Sequence, residues 1–542
     1  MADRYFATAP QGMTDLLAAE LLQLGAVDVK ETRAGAEFEG TLEMAYRACL
    51  WSRLANRILM PLASFPAETP EALYDGVRTI DWSSHLGVQQ TLAVDANVST
   101  GKITHSHYAA LKVKDAIVDS FSERGGERPS VDVEHPDIRV NCYIHRDQAS
   151  LYLDLSGTSL HQRNYRLEGG QAPLKENLAA ALLLRSRWPE IAANRGAFVD
   201  LMCGSGTLVI EAALMAADIA PGLNRPHYGF LHWQGHQRMM WERLVAEARY
   251  RRDKGIGKLP PLIGFDHDRR VLALARQNAD RAGLGAHVTF VSQDLHSFRH
   301  DFGQTGLMLT NPPYGRRLAD SGELPALYKA LGDVMKTHLK GWQGAVFTED
   351  QALGKHIGIR ANKLHTLYNG AIVCKLIHFS IEEDQFFRDD RLPRRIAETA
   401  LSDQAVMFRN RLDKNLKQVR KWAQREQVSC YRIYDADLPD YAAAIDLYHN
   451  AADPDEVWAC VQEYEAPATI DPQKARIRTR ELVSIVQTAL GLADDHLFYK
   501  TREKKRGDAQ YTRQAHEQHF HTVQEGAARL LVNFTDYLDT GL

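Results

Sequence analysis

Short apolar runs alternate with helix-length segments in the middle of the chain, between residues 161 and 385. Each run is bounded by glycine or polar residues and is too short for a helix, which is typical of a buried parallel strand. The predicted strands are residues 197–201, 262–266, 288–291, 306–309 and 344–348. The predicted helices begin near residue 172 and span residues 208–217, 269–283 and 324–339. This order predicts an α/β fold with a parallel sheet. A closing hairpin, residues 364–368 and 371–377, is expected to turn at Asn369-Gly370.

The first 160 residues alternate between strands and helices on a shorter scale. The predicted strands are residues 4–9, 27–29, 36–40 and 92–96, and the predicted helices are residues 16–24, 42–59, 71–80 and 107–121. Two alternating runs, residues 138–144 and 149–155, are separated by a short polar connection and predict a β-hairpin. We therefore expect an α+β module, with one unit in residues 1–60 and an overlapping unit in residues 45–160.

The last part of the chain predicts a linker followed by a second α+β segment. Residues 386–410 are charged and interrupted by proline, so we expect a linker there, followed by an α+β segment in residues 411–542. The predicted elements are helices at residues 408–427 and 479–490 and strands at residues 430–434, 442–448, 457–464 and within 526–542. The basic run at residues 499–507 could contact phosphate, but a solvent-exposed loop is the favoured interpretation.

Composition places the chain among ordinary globular proteins. It has 542 residues, of which 25% are charged and 44% hydrophobic, which is enough for several domains. No apolar run approaches 18 residues and no signal peptide is evident, so we expect a cytoplasmic protein without a membrane span. The six cysteines are scattered without a C-x-x-C pair, which argues against a metal site or a disulfide framework.

Charge is distributed unevenly along the chain. The net charge is −4 overall, but residues 1–160 carry −8 and residues 161–385 carry +6. A polyanion would therefore be attracted first to the middle segment. This segment also contains the most distinctive motif of the sequence.

That motif is Asn311-Pro312-Pro313-Tyr314, which directly follows the predicted strand 306–309. Two consecutive prolines cannot continue a ladder, so the chain must leave the sheet at its carboxyl end, where open α/β sheets bind ligands. The Asn311 Oδ1 atom and the Pro312 carbonyl are two acceptors that could hold an exocyclic amine while Tyr314 stacks on its base. Methylation of such an amine is the chemistry that these residue types suit, whereas a stiff surface loop is the structural alternative.

The other strand ends also carry polar groups. Asp200 precedes a loop that contains Cys203, Gly204, Ser205 and Gly206. Its Gly-x-Gly turn allows a ligand close to the backbone, and Asp200 suits a cationic amino-acid group. Val209 replaces the third glycine of G-x-G-x-x-G, which disfavours a dinucleotide-dependent dehydrogenase. Asp266 ends the second strand and could accept two ribose hydroxyls, and Asp294 follows the third strand and could accept from an adenine amine.

This series of strand ends resembles the amino-methylating branch of class I S-adenosylmethionine-dependent methyltransferases. The resemblance implies a Rossmann-like sheet that binds S-adenosylmethionine through Asp200, Cys203, Gly204, Ser205, Gly206, Asp266 and Asp294. It also implies that Asn311, Pro312 and Tyr314 form the catalytic turn. No cysteine is placed at that turn, so cytosine-C5 methylation is not favoured.

The terminal hairpin of the first module and residues 155–166 resemble a THUMP RNA-binding domain with a preceding ferredoxin-like unit. Because that module is acidic overall, RNA contact there would require the local cations Lys102, Lys112, Lys114 and Arg139. A second candidate RNA surface is the insertion at residues 219–259, where aromatic residues are interleaved with arginines that include Arg251 and Arg252. A helical cover with a solvated charged face is an equally good interpretation of this insertion.

Residues 1–385 as a whole resemble the guanine-N2 half of the bifunctional ribosomal RNA large subunit methyltransferase K/L family. The resemblance implies a methyltransferase domain in residues 161–385 and 23S ribosomal RNA, or a large-subunit precursor, as the substrate. Residues 411–542 resemble only the leading part of the guanine-N7 half, which leaves either a truncated form or a protein without N7 activity. Adenine-N6 or another amino methylation of RNA or DNA, and a non-catalytic RNA-binding assembly factor, remain as alternatives.

Overall fold

The computed structural model describes two compact units, residues 1–386 and 387–542. The described residues are 3–125, 127–166, 174–295, 298–299, 302, 305–313, 323–387, 396, 401–464, 471–502, 520–526 and 528–535. Tyr314 of the predicted catalytic turn therefore lies outside the described residues.

The N-terminal part of the first unit forms an eight-stranded sheet with the order β2-β3-β1-β4-β8-β7-β5-β6. Its strands are β1 (Asp3–Thr8), β2 (Val27–Thr32), β3 (Gly35–Gly40), β4 (Arg57–Pro66), β5 (Thr91–Thr100), β6 (Ser130–Val131), β7 (Ile138–His145) and β8 (Gln148–Asp154). Its helices are α1 (Thr14–Leu24), α2 (Leu42–Trp51), α3 (Pro70–Arg78) and α4 (Ser106–Gly125). The first six elements follow the order βαββαβ of a ferredoxin-like unit, and the sheet then continues into the THUMP-like strands. The predicted α+β module is confirmed.

Two details of this module show what sequence patterns can and cannot predict. The predicted helix over residues 42–59 is wrong beyond Trp51, because Ser52 takes an extended backbone and residues from Arg57 onward pair as strand β4. Ile58 continues the four-residue spacing of apolar positions beyond the end of the helix, but it is buried as part of the sheet. By contrast, the predicted hairpin of β7 and β8 is confirmed. Its turn residues Arg146 and Asp147 both have positive φ, which matches the twist of a two-residue hairpin turn.

The second part of the first unit is a seven-stranded sheet with the order β11-β10-β9-β12-β13-β15-β14. Its strands are β9 (Ala197–Asp200), β10 (Leu262–Asp266), β11 (Thr289–Ser292), β12 (Gly306–Thr310), β13 (Gln343–Thr348), β14 (Ala361–Asn369) and β15 (Ile372–Ser380). Its helices are α5 (Glu176–Arg185), α6 (Trp188–Ala193), α7 (Thr207–Ala216), α8 (Arg238–Gly255), α9 (Arg269–Arg281) and α10 (Glu323–His338). Strands β9 to β13 are parallel, and β15 inserts antiparallel beside β13. The predicted α/β fold and closing hairpin are confirmed.

The two sheets of the first unit are joined by a seam of buried polar groups. Arg163 lies against Glu211 of α7, with 3.6 Å between Nε and Oε1, and Tyr165 donates to the same carboxylate at 3.1 Å. Arg163 also donates to the carbonyl of Arg53, which in turn donates to the carbonyl of Ile219 at 2.9 Å. These directional contacts fix the N-terminal module against the methyltransferase-like sheet.

The second unit contains a four-stranded sheet with the order β16-β17-β18-β19 and a separate hairpin. Its elements are α11 (Asp403–Glu426), β16 (Cys430–Asp435), β17 (Ala443–His449), β18 (Val457–Tyr464), α12 (Pro472–Leu490), β19 (Leu497–Arg502), β20 (His521–Glu525) and β21 (Ala528–Val532). Helix α11 begins inside the predicted linker, since Ser402 caps its first turn. The prediction of a loop at residues 499–507 is wrong for residues 499–502, because these residues pair in parallel with β18. Residues 503–507 lie outside the described residues.

Truncation of Glu211 should destabilise the first unit strongly. Glu211→Ala leaves the buried Arg163 guanidinium without its carboxylate, and loss of one partner of a buried pair costs about 3–5 kcal/mol. The measurement is the free energy of unfolding from urea titration. Glu190→Ala is the matched control, because Glu190 pairs with Arg187 on the surface and should change stability by less than about 1 kcal/mol. Equal losses for both variants would contradict the role of the seam.

Candidate active site

The carboxyl ends of three neighbouring strands meet at one edge of the seven-stranded sheet. Strand β9 lies between β10 and β12, and all three are parallel. The chain order reverses at β9, since β10 and β11 lie on one side of it and β12 and β13 on the other. Such a switch point opens a crevice at the carboxyl ends of the strands. The structure thus brings Asp200, Asp266 and Asn311 to a common edge, as the sequence predicts.

A side-chain hydrogen bond connects the ends of β9 and β12. The backbone pairing of these strands extends to Met308 and Val199, and beyond it the Thr310 hydroxyl donates to Asp200 Oδ1 at 2.7 Å. The backbone N–H of Met202 donates to the same oxygen at 3.1 Å. Asp200 is 1% exposed and Thr310 is fully buried. Together with the ladder pairing of Thr310 with Val346 of β13, the bond fixes the residue that immediately precedes Asn311.

Burial governs the ionisation of Asp200. It raises the pKa of this carboxyl from 3.8 to about 7, and the hydrogen bonds from Thr310 and Met202 oppose part of the shift. The nearby Asp266 carboxylate raises the pKa further. A cationic group in the crevice would favour the ionised form of Asp200.

Backbone and side-chain hydrogen bonds hold the loop after β9. The N–H of Cys203 donates to the carbonyl of Phe265 at 2.8 Å, and the N–H of Gly206 donates to the carbonyl of Cys203 at 2.9 Å. Asn278 of α9 donates to the carbonyl of Ser205 at 3.0 Å. The Cys203 thiol is buried, and this burial raises its pKa well above the usual value. Its side chain is therefore not a nucleophile, and Cys203 contributes to the loop through its backbone.

The two glycines of the loop differ in their surroundings. Both have positive φ, +53° at Gly204 and +82° at Gly206. A Cβ at Gly206 would lie 2.8 Å from the Phe290 ring, whereas a Cβ at Gly204 would meet nothing within 4 Å. Gly206 is thus required by packing, and Gly204 faces open space at the edge where a ligand would approach.

The carboxylate of Asp266 is oriented toward this loop. Its Oδ2 accepts from the N–H of Gly204 at 3.0 Å and its Oδ1 accepts from the N–H of Asp268 at 3.0 Å. The side chain is 13% exposed, so part of it remains accessible. Asp294 is exposed and lies two residues beyond the end of the neighbouring strand β11. Both acids therefore lie along the same sheet edge as the glycine loop.

Asn311 carries an unused acceptor. Its Oδ1 atom is buried and has no hydrogen-bond partner among the described residues. Pro312, which follows it, is buried, and Pro313 is half-buried. A buried acceptor without a donor is unfavourable by about 1–3 kcal/mol, so an unsatisfied group of this kind needs an explanation, such as a ligand that donates to it.

The cations predicted to contact RNA have partners within the protein. Lys112 lies 5.8 Å from the Tyr74 ring centre, and Arg139 donates to Asp95 at 3.0 Å. The other members of the set pair as follows: Lys102 with Glu68, Lys114 with Asp115, Arg251 with Asp218, and Arg252 with Asp253. Their assignment to RNA remains a prediction.

The insertion at residues 219–259 packs onto the ferredoxin-like unit. Helix α8 lies against α2, where Glu247 accepts from Arg47 at 2.9 Å. Arg251 is stacked 3.8 Å from the Trp51 ring centre, and Phe230 is buried against Tyr46. These aromatic residues therefore have structural roles, and the Arg251 side chain serves this interface within the protein.

Two residues that shape the site have roles that the sequence pattern does not predict. Thr310 donates a hydrogen bond to Asp200. The only sequence feature that could have indicated this contact is a polar residue at the end of an apolar strand. Asn278 is buried on α9 and donates to the Ser205 carbonyl. The feature that could have indicated it is an amide side chain on the otherwise apolar face of a helix.

Two kinds of feature are missing from the described ranges. No helix there has the length and apolar character that a membrane crossing requires. No cluster of three or more histidine, cysteine, aspartate or glutamate side chains there is arranged to hold a metal ion.

Three family models match the first unit. They are an RlmL ferredoxin-like domain at residues 4–59, a THUMP domain at residues 67–154 and an RMKL-like methyltransferase domain at residues 163–378. The matched ranges follow the order of the two sheets described above.

Curated relatives match almost the whole chain. A protein of Syntrophotalea carbinolica is 52% identical over 99% of this chain and 74% of its own length. A protein of Methylococcus capsulatus is 50% identical over all of this chain and 75% of its own length. Both are named ribosomal RNA large subunit methyltransferase K/L.

Solved structures share the fold of the first unit. SMU.472, described as a candidate methyltransferase and complexed with SAH, has a TM-score of 0.63 and 33% identity over 70% of this chain and 98% of its own. A predicted N6-adenine-specific DNA methylase from Listeria monocytogenes has a TM-score of 0.62 and 31% identity over 70% of this chain and 96% of its own.

Asp200 should make stability fall as the pH rises from about 4 to about 7. Its folded pKa lies above its unfolded value, so in this window the native state keeps a proton that the unfolded chain has lost. Asp200→Asn keeps an acceptor for Thr310 but cannot titrate. Relative to the wild type, the variant's free energy of unfolding should therefore increase across this window, by about 4 kcal/mol at most. Urea unfolding at several pH values measures this, and a pH-independent difference would contradict it.

The two loop glycines should respond differently to alanine. Gly206→Ala should lower Tm strongly, because it combines a positive φ with overpacking against Phe290, at a cost of about 1–3 kcal/mol for the packing alone. Gly204→Ala has the backbone penalty only, about 1–2 kcal/mol, but places a methyl group in the open crevice. It should remain folded and bind S-adenosylmethionine at least tenfold more weakly. Thermal unfolding and calorimetric titration measure the two effects, and unchanged cofactor affinity in Gly204→Ala would show that the crevice lies elsewhere.

Proposed function

Because the chain belongs to the ribosomal RNA large subunit methyltransferase K/L family, we propose that it methylates the exocyclic N2 amine of a guanine in 23S ribosomal RNA. The observation that carries this proposal is the buried, unpartnered Asn311 Oδ1 at the sheet edge shared with Gly204 and Asp266. An amine donor of a nucleobase would satisfy this acceptor. Family membership makes the chain an S-adenosylmethionine-dependent enzyme, and the turn accounts for the choice of an amine nitrogen as the acceptor of the methyl group.

The residues at the edge fit S-adenosylmethionine. The open space at Gly204 allows a ligand close to the backbone, and the Asp266 carboxylate beside it can accept from ribose hydroxyls. Asp294 can accept from the adenine amine, and the buried Asp200 complements positive charge in the crevice. When bound, the cofactor supplies an electrophilic methyl group, which is attached to a cationic sulfur.

The catalytic turn would position the amine nitrogen. We assign Asn311 Oδ1 and the Pro312 carbonyl as acceptors for its two N–H groups, so that the lone pair of the nitrogen is directed at the methyl group. Tyr314, which lies outside the described residues, is assigned to stack on the base. The proton is released to water after transfer, so a strong general base is not required. Thr310 and Asp200 act as positioning residues, because their hydrogen bond fixes the backbone that carries Asn311.

The remaining parts of the chain support RNA recognition in this proposal. The ferredoxin-like unit (1–60) and the THUMP-like domain (45–160) would bind RNA beside the methyltransferase domain (161–385). A linker that begins at residue 386 and ends before α11 (Asp403–Glu426) would connect it to the C-terminal segment, which resembles the start of the N7-methyltransferase half. The substrate is 23S ribosomal RNA or a precursor of the large subunit, and the enzyme would work in the cytoplasm with that RNA.

Adenine-N6 methylation is the second candidate function. It is favoured by the likeness to the Listeria protein described as an N6-adenine-specific DNA methylase. The two acceptors of the turn fit an adenine amine as well as a guanine amine. The THUMP model match favours RNA over DNA.

Removal of the Asn311 side chain should separate chemistry from cofactor binding. Asn311→Ala loses one acceptor for the amine, which costs about 10²–10³ in kcat when a preorganised hydrogen-bonding group is removed. Affinity for S-adenosylmethionine should remain within about twofold. The assay incubates the full chain with 23S ribosomal RNA and labelled cofactor and identifies the methylated nucleoside.

The control is Asn194→Ala, a surface asparagine at the end of α6, which should retain full activity. N2-methylguanosine as the product supports the proposal, and N6-methyladenosine supports the second candidate. Full methyl transfer by Asn311→Ala would overturn the assignment of the turn.

A further inference from the structure

A second cavity lies between the two sheets of the first unit, and we call it the junction pocket. It has a volume of about 540 Å³. It is lined by the segment 134–139, before and within β7, and by the segments 157–166 and 225–232. Its volume is in the range of small-molecule sites, about 300–1,000 Å³, and would accept one nucleotide. None of the described residues of the catalytic turn and of the glycine loop line it, so we treat it as a separate feature.

The junction pocket contains an arginine, Arg225, that forms no ion pair among the described residues. The terminal nitrogens of Arg225 donate to the carbonyls of residues 156, 158, 159 and 162, and none of the ion pairs among the described residues includes this guanidinium. Its Nε is buried and has no acceptor. Arg139 and Arg166 also line the pocket, but each is paired with a carboxylate. The uncompensated charge makes an anion the preferred occupant near Arg225.

Two carboxylates also line the pocket, but one of them is already engaged. Asp137 Oδ2 accepts from the N–H of Thr91 at 2.8 Å and from its hydroxyl at 3.1 Å. Its Oδ1 lies 3.3 Å from His232 Nδ1. Glu134 is exposed at the outer wall. Both acidic groups therefore belong to the segment 134–139, whereas Arg225 belongs to another segment of the lining.

Two imidazole rings lie close together in the same pocket. The rings of His227 and His232 have centroids 5.6 Å apart and an interplanar angle of 35°. His227 is half-buried, and this burial lowers its pKa, so the ring is neutral at neutral pH. The His232 side chain is 50% exposed. Aromatic rings beside a cation are a common arrangement for binding a base together with its phosphate.

One side chain connects the junction pocket to the glycine loop. Arg166 lines the pocket and donates to Thr207 Oγ1 at 3.4 Å, and Thr207 is the first residue of α7, directly after Gly206. Arg166 also pairs with Glu176 of α5 at 2.9 Å. The pocket therefore lies beside the sheet edge that carries the glycine loop, close enough for one continuous strand of nucleic acid to reach both.

We propose that the junction pocket binds one nucleotide of the RNA strand that carries the target base. The base of this nucleotide would stack on His227 and His232, and its phosphate would lie toward Arg225. The inference rests on the proposed function, because it assigns a subsite to the same RNA substrate. A free nucleoside monophosphate has the same chemistry, so the two sources must be distinguished by experiment.

The test uses the full chain and two changes that should not disturb folding. His227→Ala with His232→Ala removes the stacking surface, and Gln162→Glu adds a negative charge on an exposed pocket residue without changing its size. The matched controls are His287→Ala, before the amino end of β11, and Gln343→Glu, at the amino end of β13, both on the sheet edge opposite the glycine loop. Affinities for a 23S ribosomal RNA fragment, S-adenosylmethionine and guanosine monophosphate are measured for every variant.

The double histidine variant should bind the RNA fragment about tenfold more weakly, as expected for loss of one stacked base. Gln162→Glu should also weaken RNA binding, and the loss should be larger at low salt. Cofactor affinity should be unchanged in both, and the controls should match the wild type in every respect. Wild-type RNA affinity in both pocket variants would overturn the proposal. Loss of guanosine monophosphate binding with unchanged RNA binding would overturn it in favour of a free nucleotide.

Failure of the proposed function would be visible separately. Product analysis of the wild type reports which base is methylated, whereas the binding measurements report only the subsite. If no N2-methylguanosine forms but the pocket variants still lose RNA affinity, the subsite stands and the proposed function fails. If N2-methylguanosine forms and RNA affinity does not depend on the pocket, the proposed function stands and the subsite fails.

Discussion

The geometry of the candidate active site depends on the hydrogen bond between Thr310 and Asp200. The ladder between β9 and β12 ends before these residues, so this buried contact is what continues the pairing to the edge of the sheet. It aligns the loop of Gly204 with the turn that begins at Asn311. A cofactor site and a base site on different strands can cooperate only if their separation is fixed, and small misplacements reduce rates steeply. Thr310 and Asp200 meet this requirement through their buried hydrogen bond.

The same requirement explains why polar groups join the two sheets of the first unit. Arg163 and Arg225 are buried and are held by carbonyls or a carboxylate, at a desolvation cost that apolar side chains would avoid. Hydrogen bonds are directional, however, and apolar packing alone permits small rotations of one sheet against the other. We infer that the seam sets the orientation of the RNA-binding module relative to the methyltransferase edge. An RNA strand that contacts both then meets the catalytic turn in one register.

The sequence predicts the methyltransferase sheet and its edge well, because both follow from local patterns. Apolar runs define the parallel strands, and the carboxyl ends of parallel strands must share an edge, so the amino-acid pattern alone places Asp200, Asp266 and Asn311 together. The contacts of Arg225 could not be predicted in this way, since its acceptors lie more than 60 residues earlier in the chain. The helix predicted over residues 42–59 fails for a related reason. Burial of Ile58 in a distant strand pairing imitates the spacing of a helical face.

A strongly basic run in the sequence does not by itself indicate an RNA contact. Arg251 and Arg252 stand in a strongly basic run, yet Arg251 is stacked on Trp51 and paired with Asp218, so a cation in such a run can serve the interior of the fold. Arg225 stands alone in the sequence, and its guanidinium donates to carbonyls but forms no ion pair among the described residues. The electrostatic attraction of a site for RNA depends on charge that remains uncompensated after folding. A search for RNA contacts in this enzyme should therefore begin at the pocket beside Arg225 and not at the run with the most arginines.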